Sequence, residues 1–213
     1  MKIIDLTHTL YDDMPVFPGD EPPEFYSICT VEEEGFAQKK LIIYSHTGTH
    51  IDAPAHMLIQ GRSLEEVDVN QFFGKAMVID CGGGKKDRIE LGDLLNYKDK
   101  IQKVDFVLFH TGWSKYWGSQ SYYEGFPTLT EEAVQWLCSF SVKGIGIDTL
   151  SVDELHSQEF SNHYALLKNN IIIIENLTHL GKLPQDNFLF SCLPLKYKNA
   201  DGSPVRAVAI INQ

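Results

Sequence analysis

The sequence has few positive charges and no long apolar run. These two absences argue against a nucleic-acid-binding protein and against a membrane protein. Eighteen basic residues stand against 29 acidic ones, which gives a formal net charge of −11. Nucleic acids and anionic membrane surfaces need a basic footprint on the protein, so we expect neither as a partner. No apolar stretch approaches the length of a membrane-spanning helix, so we expect no membrane segment either.

Paired cysteines are also missing. The four cysteines are Cys29, Cys81, Cys138 and Cys192, and no C-x-x-C pair suggests a structural zinc or a redox motif. Free thiols are therefore the expected state. The first residues do not have the charged, apolar and cleavage regions of a signal peptide, and a cytoplasmic location is expected.

The chain of 213 residues shows no repeat and no linker, so one domain over 1–213 is predicted. Strand-type and helix-type patterns are interleaved along it, which favours a mixed α/β fold. Predicted strands cover residues 3–6, 25–31, 37–44, 75–80, 104–110, 144–148, 171–174, 188–195 and 205–211. Predicted helices cover 89–95 and 131–140, and a further helical segment lies within 157–168.

Residues 45–57 read S-H-T-G-T-H-I-D-A-P-A-H-M and hold an unusual density of metal-type ligands. The polar positions are spaced at even offsets, so an extended chain projects them from one face, whereas a helix would turn Asp52 away from His50. A straight strand would hold His46 and His50 about 13 Å apart, at about 3.3 Å per residue. The chain must therefore bend, and Gly48 and Pro54 are where it can do so.

Imidazole and carboxylate ligands of this kind suit zinc or manganese in a hydrolase. His46, His50 and Asp52 supply three ligands, and His163 and Glu175 offer two more for a second ion. Two plainer readings stay open. A glutamate such as Glu175 can simply end a strand, and a metal-free domain can bury histidines, although unpaired polar groups are costly to bury.

The pattern H-T-G-T-H-I-D-A-P-A-H resembles the signature of the cyclase-like metal-dependent hydrolases, a family that includes bacterial kynurenine formamidases and isatin hydrolases. The segments M-P-V-F-P-G-D, H-T-G-W-S-K-Y-W, G-I-D-T-L-S-V-D and I-I-E-N-L extend the resemblance over nearly the whole chain. It implies a single mixed-sheet domain of the swivelling β/β/α type and a homodimer or higher homo-oligomer.

The same resemblance implies roles for the site residues. His46, His50 and Asp52 would hold one ion, while Asp52, His163 and Glu175 would hold or bridge a second. His56 would be the catalytic acid/base. One or two divalent ions per subunit are expected, with zinc ahead of manganese.

The implied reaction is hydrolysis of an amide C–N bond by a metal-bound hydroxide, on a small-molecule substrate such as N-formylkynurenine. Phe17 stands where kynurenine formamidases have a tryptophan that stacks on the substrate ring, so a smaller aromatic face is available here. Two alternatives remain: hydrolysis of an isatin-type lactam or another cyclic amide, and a metal-binding interaction protein without turnover.

Overall fold

A nine-stranded mixed sheet dominates the structure, a computed structural model that describes residues 1–82 and 86–211. Its strand order is β1-β13-β11-β5-β7-β9-β10-β4-β12, and two separate strand pairs, β2-β3 and β6-β8, lie outside it. The strands are β1 (Lys2–Asp5), β2 (Glu24–Cys29), β3 (Gln38–Ile42), β4 (His50–Asp52), β5 (Phe73–Asp80), β6 (Arg88–Ile89), β7 (Phe106–His110), β8 (Thr128–Leu129), β9 (Gly144–Ile147), β10 (Ile172–Glu175), β11 (Phe188–Ser191), β12 (Gly202–Pro204) and β13 (Val208–Ile211).

The middle of the large sheet is parallel and its two margins are antiparallel. Strands β5, β7, β9 and β10 run parallel, whereas β1, β13 and β11 on one side and β4 and β12 on the other pair antiparallel. The parallel strands are apolar and buried over most of their length, as expected for strands covered on both faces. Two large buried clusters, one against each face, form the core.

The helices are short and lie in the connections between strands. They are α1 (Val31–Glu34), α2 (Leu91–Leu94), α3 (Lys98–Ile101), α4 (Glu131–Leu137) and α5 (Ser161–Lys168). Single 3₁₀ turns cover Pro54–His56, Leu64–Glu66, Val69–Phe72, Leu95–Tyr97, Trp113–Tyr116, Gln120–Tyr122 and Leu180–Lys182. None of the helices within residues 1–82 and 86–211 combines the length and the apolar character that crossing a membrane requires.

The predicted α/β class with one mixed sheet is confirmed, and the corrections are local. The helical segment predicted within 157–168 is α5, which begins at Ser161 after Phe160 adopts a left-handed conformation with φ 48° and ψ 44°. Residues 88–89 are a strand, and the helix predicted for 89–95 shrinks to α2. Strands β4, β8 and β12 were not predicted, because two or three residues are too few to show a period.

Strands β2 and β3 form a hairpin arm, residues 24–42, with α1 at its turn. No residue of either strand or of α1 is buried, although the arm carries several apolar side chains. The exposed ones include Ile28, Phe36 and Leu41, each more than half exposed. The arm therefore leaves an apolar surface without cover in the single chain.

Candidate metal centre

Strand β4 brings the two halves of the candidate centre together. It pairs with β10, which sets Glu175 opposite His50 and Ile173 opposite Asp52. Side chains two residues apart on a strand share a face, so His50 and Asp52 point to the same side. Glu175, at the end of β10, therefore lies beside the segment that begins at Gly48, although more than a hundred residues separate the two in sequence.

The predicted bend lies at Gly48, whose φ is +67°. Its carbonyl oxygen accepts a hydrogen bond from His50 Nδ1 at 2.8 Å and another from Asn176 Nδ2 at 3.0 Å. The bend therefore also orients the His50 ring, because Nδ1 is occupied and Nε2 is left facing the cluster.

Asp52 is the hub of the cluster and is 1% exposed. Its Oδ1 lies 2.8 Å from His46 Nδ1 and 3.3 Å from His50 Nε2. Its Oδ2 lies 3.6 Å from His163 Nε2. One carboxylate thus faces three imidazoles, with one oxygen toward each side of the site.

Glu175 closes the second side of the cluster. Its Oε2 lies 3.4 Å from His50 Nε2 and its Oε1 lies 3.4 Å from His163 Nε2. The backbone N–H of Val152 donates to Oε1 at 2.8 Å and fixes the carboxylate. His163 is fixed in turn by Asp153, which accepts from its Nδ1 at 2.6 Å.

These residues fit a divalent ion. Donor atoms of His46, His50 and Asp52 lie within 4.8 Å of one another, and so do those of Asp52, His163 and Glu175. Asp52 Oδ2 is buried and has no hydrogen-bond partner within residues 1–82 and 86–211. Since a buried carboxylate oxygen without a partner is costly, a cation near Asp52 would satisfy it. The ligand roles themselves stay predictions.

The electrostatics of the cluster match this donor set. Burial alone would lower the pKa of His50, but its hydrogen bonds and charge interactions with Asp52 and Glu175 together outweigh burial and raise the pKa to about 10. Burial also opposes protonation of His46, and Asp52 together with Asp201 outweighs it and raises the pKa of His46 to about 9. Burial would raise the pKa of Asp52, yet His46 and His50 hold it well below its usual range. Buried carboxylates here are thus balanced by positive charge, which a metal ion can supply in place of protons.

His56 lies beside the cluster on the 3₁₀ turn Pro54–His56. Its ring centroid is 4.0 Å from that of His46 and 5.9 Å from that of His163. Burial lowers the pKa of His56, and the charges of His46 and His163 add to this against the opposing effect of Asp52. A neutral imidazole is therefore available at neutral pH.

A cavity of about 420 Å³ opens over these residues. Phe17, the predicted substrate contact, lines it and is 37% exposed. Phe160 forms another part of its wall, and its ring lies 6.1 Å from that of His163. The structure thus brings all seven predicted site residues to one cavity: Phe17, His46, His50, Asp52, His56, His163 and Glu175.

Three residues at the site were missed in the sequence. Asp153 ends the segment G-I-D-T-L-S-V-D, one of the segments that carry the family resemblance. That position in a matching segment is the signal that could have singled Asp153 out. Phe160 gives no local signal. Asp201 lies in a D-G-S-P turn pattern, which predicts only a turn, yet its carboxylate lies 3.1 Å from His46 Nε2 and near His56.

Comparisons with known proteins identify the family. A family model described as a putative cyclase matches residues 4–154. A kynurenine formamidase from Bacillus cytotoxicus is 32% identical over 206 residues, which is 96% of this chain and 95% of that protein. Solved structures also align with the whole chain. Isatin hydrolase A from Labrenzia aggregata, bound to benzyl benzoate, has a TM-score of 0.88, 27% identity and 94% of its own chain covered. The structure of a potential metal-dependent hydrolase with cyclase activity has a TM-score of 0.84 and 29% sequence identity, and the alignment covers 98% of that protein's chain.

The fold and the buried ligand cluster define the class of protein, a metal-dependent hydrolase. Within that class, the chain belongs to the putative cyclase family.

Proposed function

We propose that this chain hydrolyses the C–N bond of an amide, with an aryl formamide such as N-formylkynurenine as its substrate. The observation that carries the proposal is the pair of ligand groups sharing Asp52 beneath an aromatic-walled cavity that also contains His56. The kynurenine formamidase from Bacillus cytotoxicus, which matches over almost its full length, supports the choice of an amide.

The two ligand groups divide the metal-binding work. His46, His50 and Asp52 would hold one ion, and Asp52, His163 and Glu175 would hold a second. Mixed nitrogen and oxygen donors suit zinc and also manganese, and we propose zinc. A divalent ion bound there supplies Lewis acidity, which activates a water molecule and polarises a carbonyl group.

His56 moves the proton in the proposed reaction. Because its pKa is lowered, its imidazole is neutral at pH 7 and accepts a proton from the attacking water. It then donates that proton to the departing nitrogen, because one imidazole can both accept and donate a proton near neutral pH. The water oxygen forms the new bond to the carbonyl carbon, the C–N bond breaks, and the nitrogen leaves as an amine.

Phe17 and Phe160 supply aromatic surface for a ring-bearing substrate. Phe160 is held at φ 48°, a conformation that a bulky residue adopts only at an energetic cost. Such strain is often found at ligand sites, which supports a direct role for this ring in the cavity.

A second candidate substrate is a lactam such as isatin, whose ring carries the same amide bond. The isatin hydrolase A structure from Labrenzia aggregata, with its TM-score of 0.88, favours this alternative. A panel containing N-formylkynurenine, isatin and simple formamides separates the two by their kcat/KM values.

The hairpin arm supports assembly into a homodimer or higher homo-oligomer. Its Ile28, Phe36 and Leu41 are each more than half exposed in the single chain, and several exposed apolar side chains on one element are typical of a protein interface. A second copy of the chain would bury these side chains. Sedimentation of the wild type and of Phe36→Ser, compared at equal concentration, tests the assembly.

The decisive experiment separates the ligands from the proton carrier. His56→Asn should lower kcat by about 10²–10⁴-fold, the usual contribution of general acid–base catalysis, while the bound metal is retained. His50→Ala should lose metal and activity together. His110→Asn, which changes a histidine outside the site cavity, is the matched control and should change neither.

Three results would contradict the proposal. His50→Ala could keep its full metal content and activity, or His56→Asn could keep full turnover. A fully metal-loaded wild type that hydrolyses no amide in the panel would instead favour a metal-binding interaction protein.

A further inference from the structure

His46 is held in a way that sets it apart from the other two imidazoles of the centre. His50 and His163 both direct Nε2 toward the carboxylates, and their Nδ1 atoms donate outward, to Gly48 O at 2.8 Å and to Asp153 at 2.6 Å. His46 is reversed. Its Nδ1 lies 2.8 Å from Asp52 Oδ1, and its Nε2 points outward.

The outward nitrogen of His46 meets the turn that leads into β12. Nε2 lies 3.1 Å from Asp201 Oδ2, and Ser45 Oγ donates to the same oxygen at 3.2 Å. A carboxylate cannot donate when ionised, so the N–H of this pair belongs to His46. The Nδ1 atom also faces a carboxylate, that of Asp52, so both ring nitrogens carry protons when no cation is bound. Once a cation takes the place of the Nδ1 proton, the contact with Asp201 keeps the remaining proton on Nε2.

The next residue, Gly202, shapes the space that the His46 ring occupies. A Cβ placed on Gly202 would lie 2.5 Å from His46 Cε1, 2.7 Å from Nε2 and 3.0 Å from Nδ1. The ring thus packs directly against the bare backbone. Gly202 is also paired with Asp52 across the β12–β4 ladder, which fixes the glycine relative to the hub of the centre.

Asp201 and Gly202 together form a cradle for the His46 ring, and Tyr197 anchors this cradle. The Tyr197 hydroxyl donates to the Gly202 carbonyl oxygen at 2.6 Å and lies 3.4 Å from Asp201 Oδ1. The Asp201 side chain is 43% exposed, whereas the Asp153 side chain that holds His163 is 6% exposed. The two orienting carboxylates therefore differ in their surroundings but occupy equivalent places behind their histidines.

We propose that Asp201 and Gly202 are positioning residues that hold His46 with Nδ1 presented as its metal-binding atom. This rests on the proposed metal-dependent function. Carboxylates behind metal-binding histidines fix the ring and its tautomer, and losing one typically weakens metal binding or activity about 10–100-fold. The cradle thus sets the affinity of the ion held by His46, His50 and Asp52, and it leaves the ion of His163 and Glu175 largely unchanged.

The test measures zinc binding, without any substrate, in wild type, Asp201→Asn and Gly202→Ala. Metal-stripped protein is titrated with zinc in competition with a fluorescent chelator. We expect one of two ions to bind about 10–100-fold more weakly in each variant. Asp186→Asn removes the same charge from a surface aspartate that pairs with Lys100 at 2.8 Å, and it should bind zinc as the wild type does.

A second readout follows the His46 tautomer directly. In ¹⁵N–¹H correlation spectra of the zinc-loaded wild type, His46 should carry its proton on Nε2. Circular dichroism of each metal-free variant confirms that it is folded, and Gly202→Ala repeats the test with the Asp201 carboxylate intact.

Several outcomes overturn the inference. Wild-type zinc affinity in both Asp201→Asn and Gly202→Ala would remove the cradle from metal binding. A proton on Nδ1 of His46 in the loaded protein would contradict the reversed geometry. Complete loss of one ion in Asp201→Asn, with Gly202→Ala unaffected, would make Asp201 a ligand instead. If the wild type itself bound no divalent ion, the proposed function would fail first.

Discussion

Replacing Gly48 by alanine tests the bend on which the site depends. Gly48 has φ +67°, and a residue with a Cβ in this left-handed region costs roughly 1–2 kcal/mol. Alanine also restricts the unfolded chain, which offsets about 0.4–1 kcal/mol of that cost. The backbone effect alone is therefore a destabilisation of about 1 kcal/mol.

The side chains around Gly48 add to this cost. A Cβ there would collide with Leu10 Cδ2 and come within 3.3 Å of Met14 Cε. Overpacking of this kind costs roughly 1–3 kcal/mol, and the flexible ends of both side chains favour the lower part of that range. We therefore expect Gly48→Ala to lower the free energy of unfolding by about 2–3 kcal/mol.

Gly125→Ala is the matched control for this variant. Gly125 has φ +71°, and a Cβ there meets nothing within 4 Å. It should lose only the backbone contribution, about 1 kcal/mol. Urea denaturation of both metal-stripped variants measures the difference without a contribution from ion binding.

The same pair of variants reports on the site. The Gly48 carbonyl oxygen accepts from His50 Nδ1 at 2.8 Å, so a displaced backbone turns the His50 ring away from Asp52. Zinc affinity should fall in Gly48→Ala and stay unchanged in Gly125→Ala. If Gly48→Ala were no more destabilising than Gly125→Ala and bound zinc normally, our account of the bend would be wrong.

Three further predictions concern other parts of the molecule. Burial raises the pKa of the Cys81 and Cys192 thiols, so a thiol reagent at pH 8 should modify Cys29 first and should reach Cys81 and Cys192 only on unfolding. Equal modification rates of these three cysteines in the folded protein would contradict this. Burial, reinforced by the charge of His179, lowers the pKa of His8 to about 4. The unfolded chain, with a pKa of about 6.5, then binds the proton more readily, so the free energy of unfolding should fall by on the order of 2 kcal/mol as the pH drops from about 6.5 to about 4. His8→Phe, which keeps a ring against Trp117 at 4.0 Å, should flatten that slope, and an unchanged slope would refute the assignment. Phe160→Leu should raise KM for an aryl formamide more than for formamide itself, and equal effects would remove Phe160 from ring binding.

Local signals in the sequence were enough to predict the bend and the strand end. Gly48 and Pro54 interrupt the ligand segment at positions where only a turn suits them. The apolar run before Glu175 predicts a buried strand that delivers a carboxylate to the sheet edge. The bend and the strand end each depend on a few consecutive residues, so both can be predicted without knowing the tertiary fold.

Features that depend on distant pairing could not be predicted in this way. Strand β4 has three residues, and only its ladders with β10 and β12 make it a strand. Asp201 reads as a turn residue in D-G-S-P, and its contact with His46 arises because β12 lies beside β4. Phe160 adopts its left-handed backbone where α5 begins, and the sequence pattern of residues 157–168 does not show at which residue the helix starts.

The central claim is that this cluster hydrolyses an amide only when it holds metal. The most direct measurement compares N-formylkynurenine hydrolysis by metal-loaded, chelator-stripped and zinc-restored protein, with the metal content determined in each sample. We predict turnover in the loaded protein, loss on stripping and recovery on restoring zinc. Undiminished turnover by protein shown to be free of metal would contradict the account.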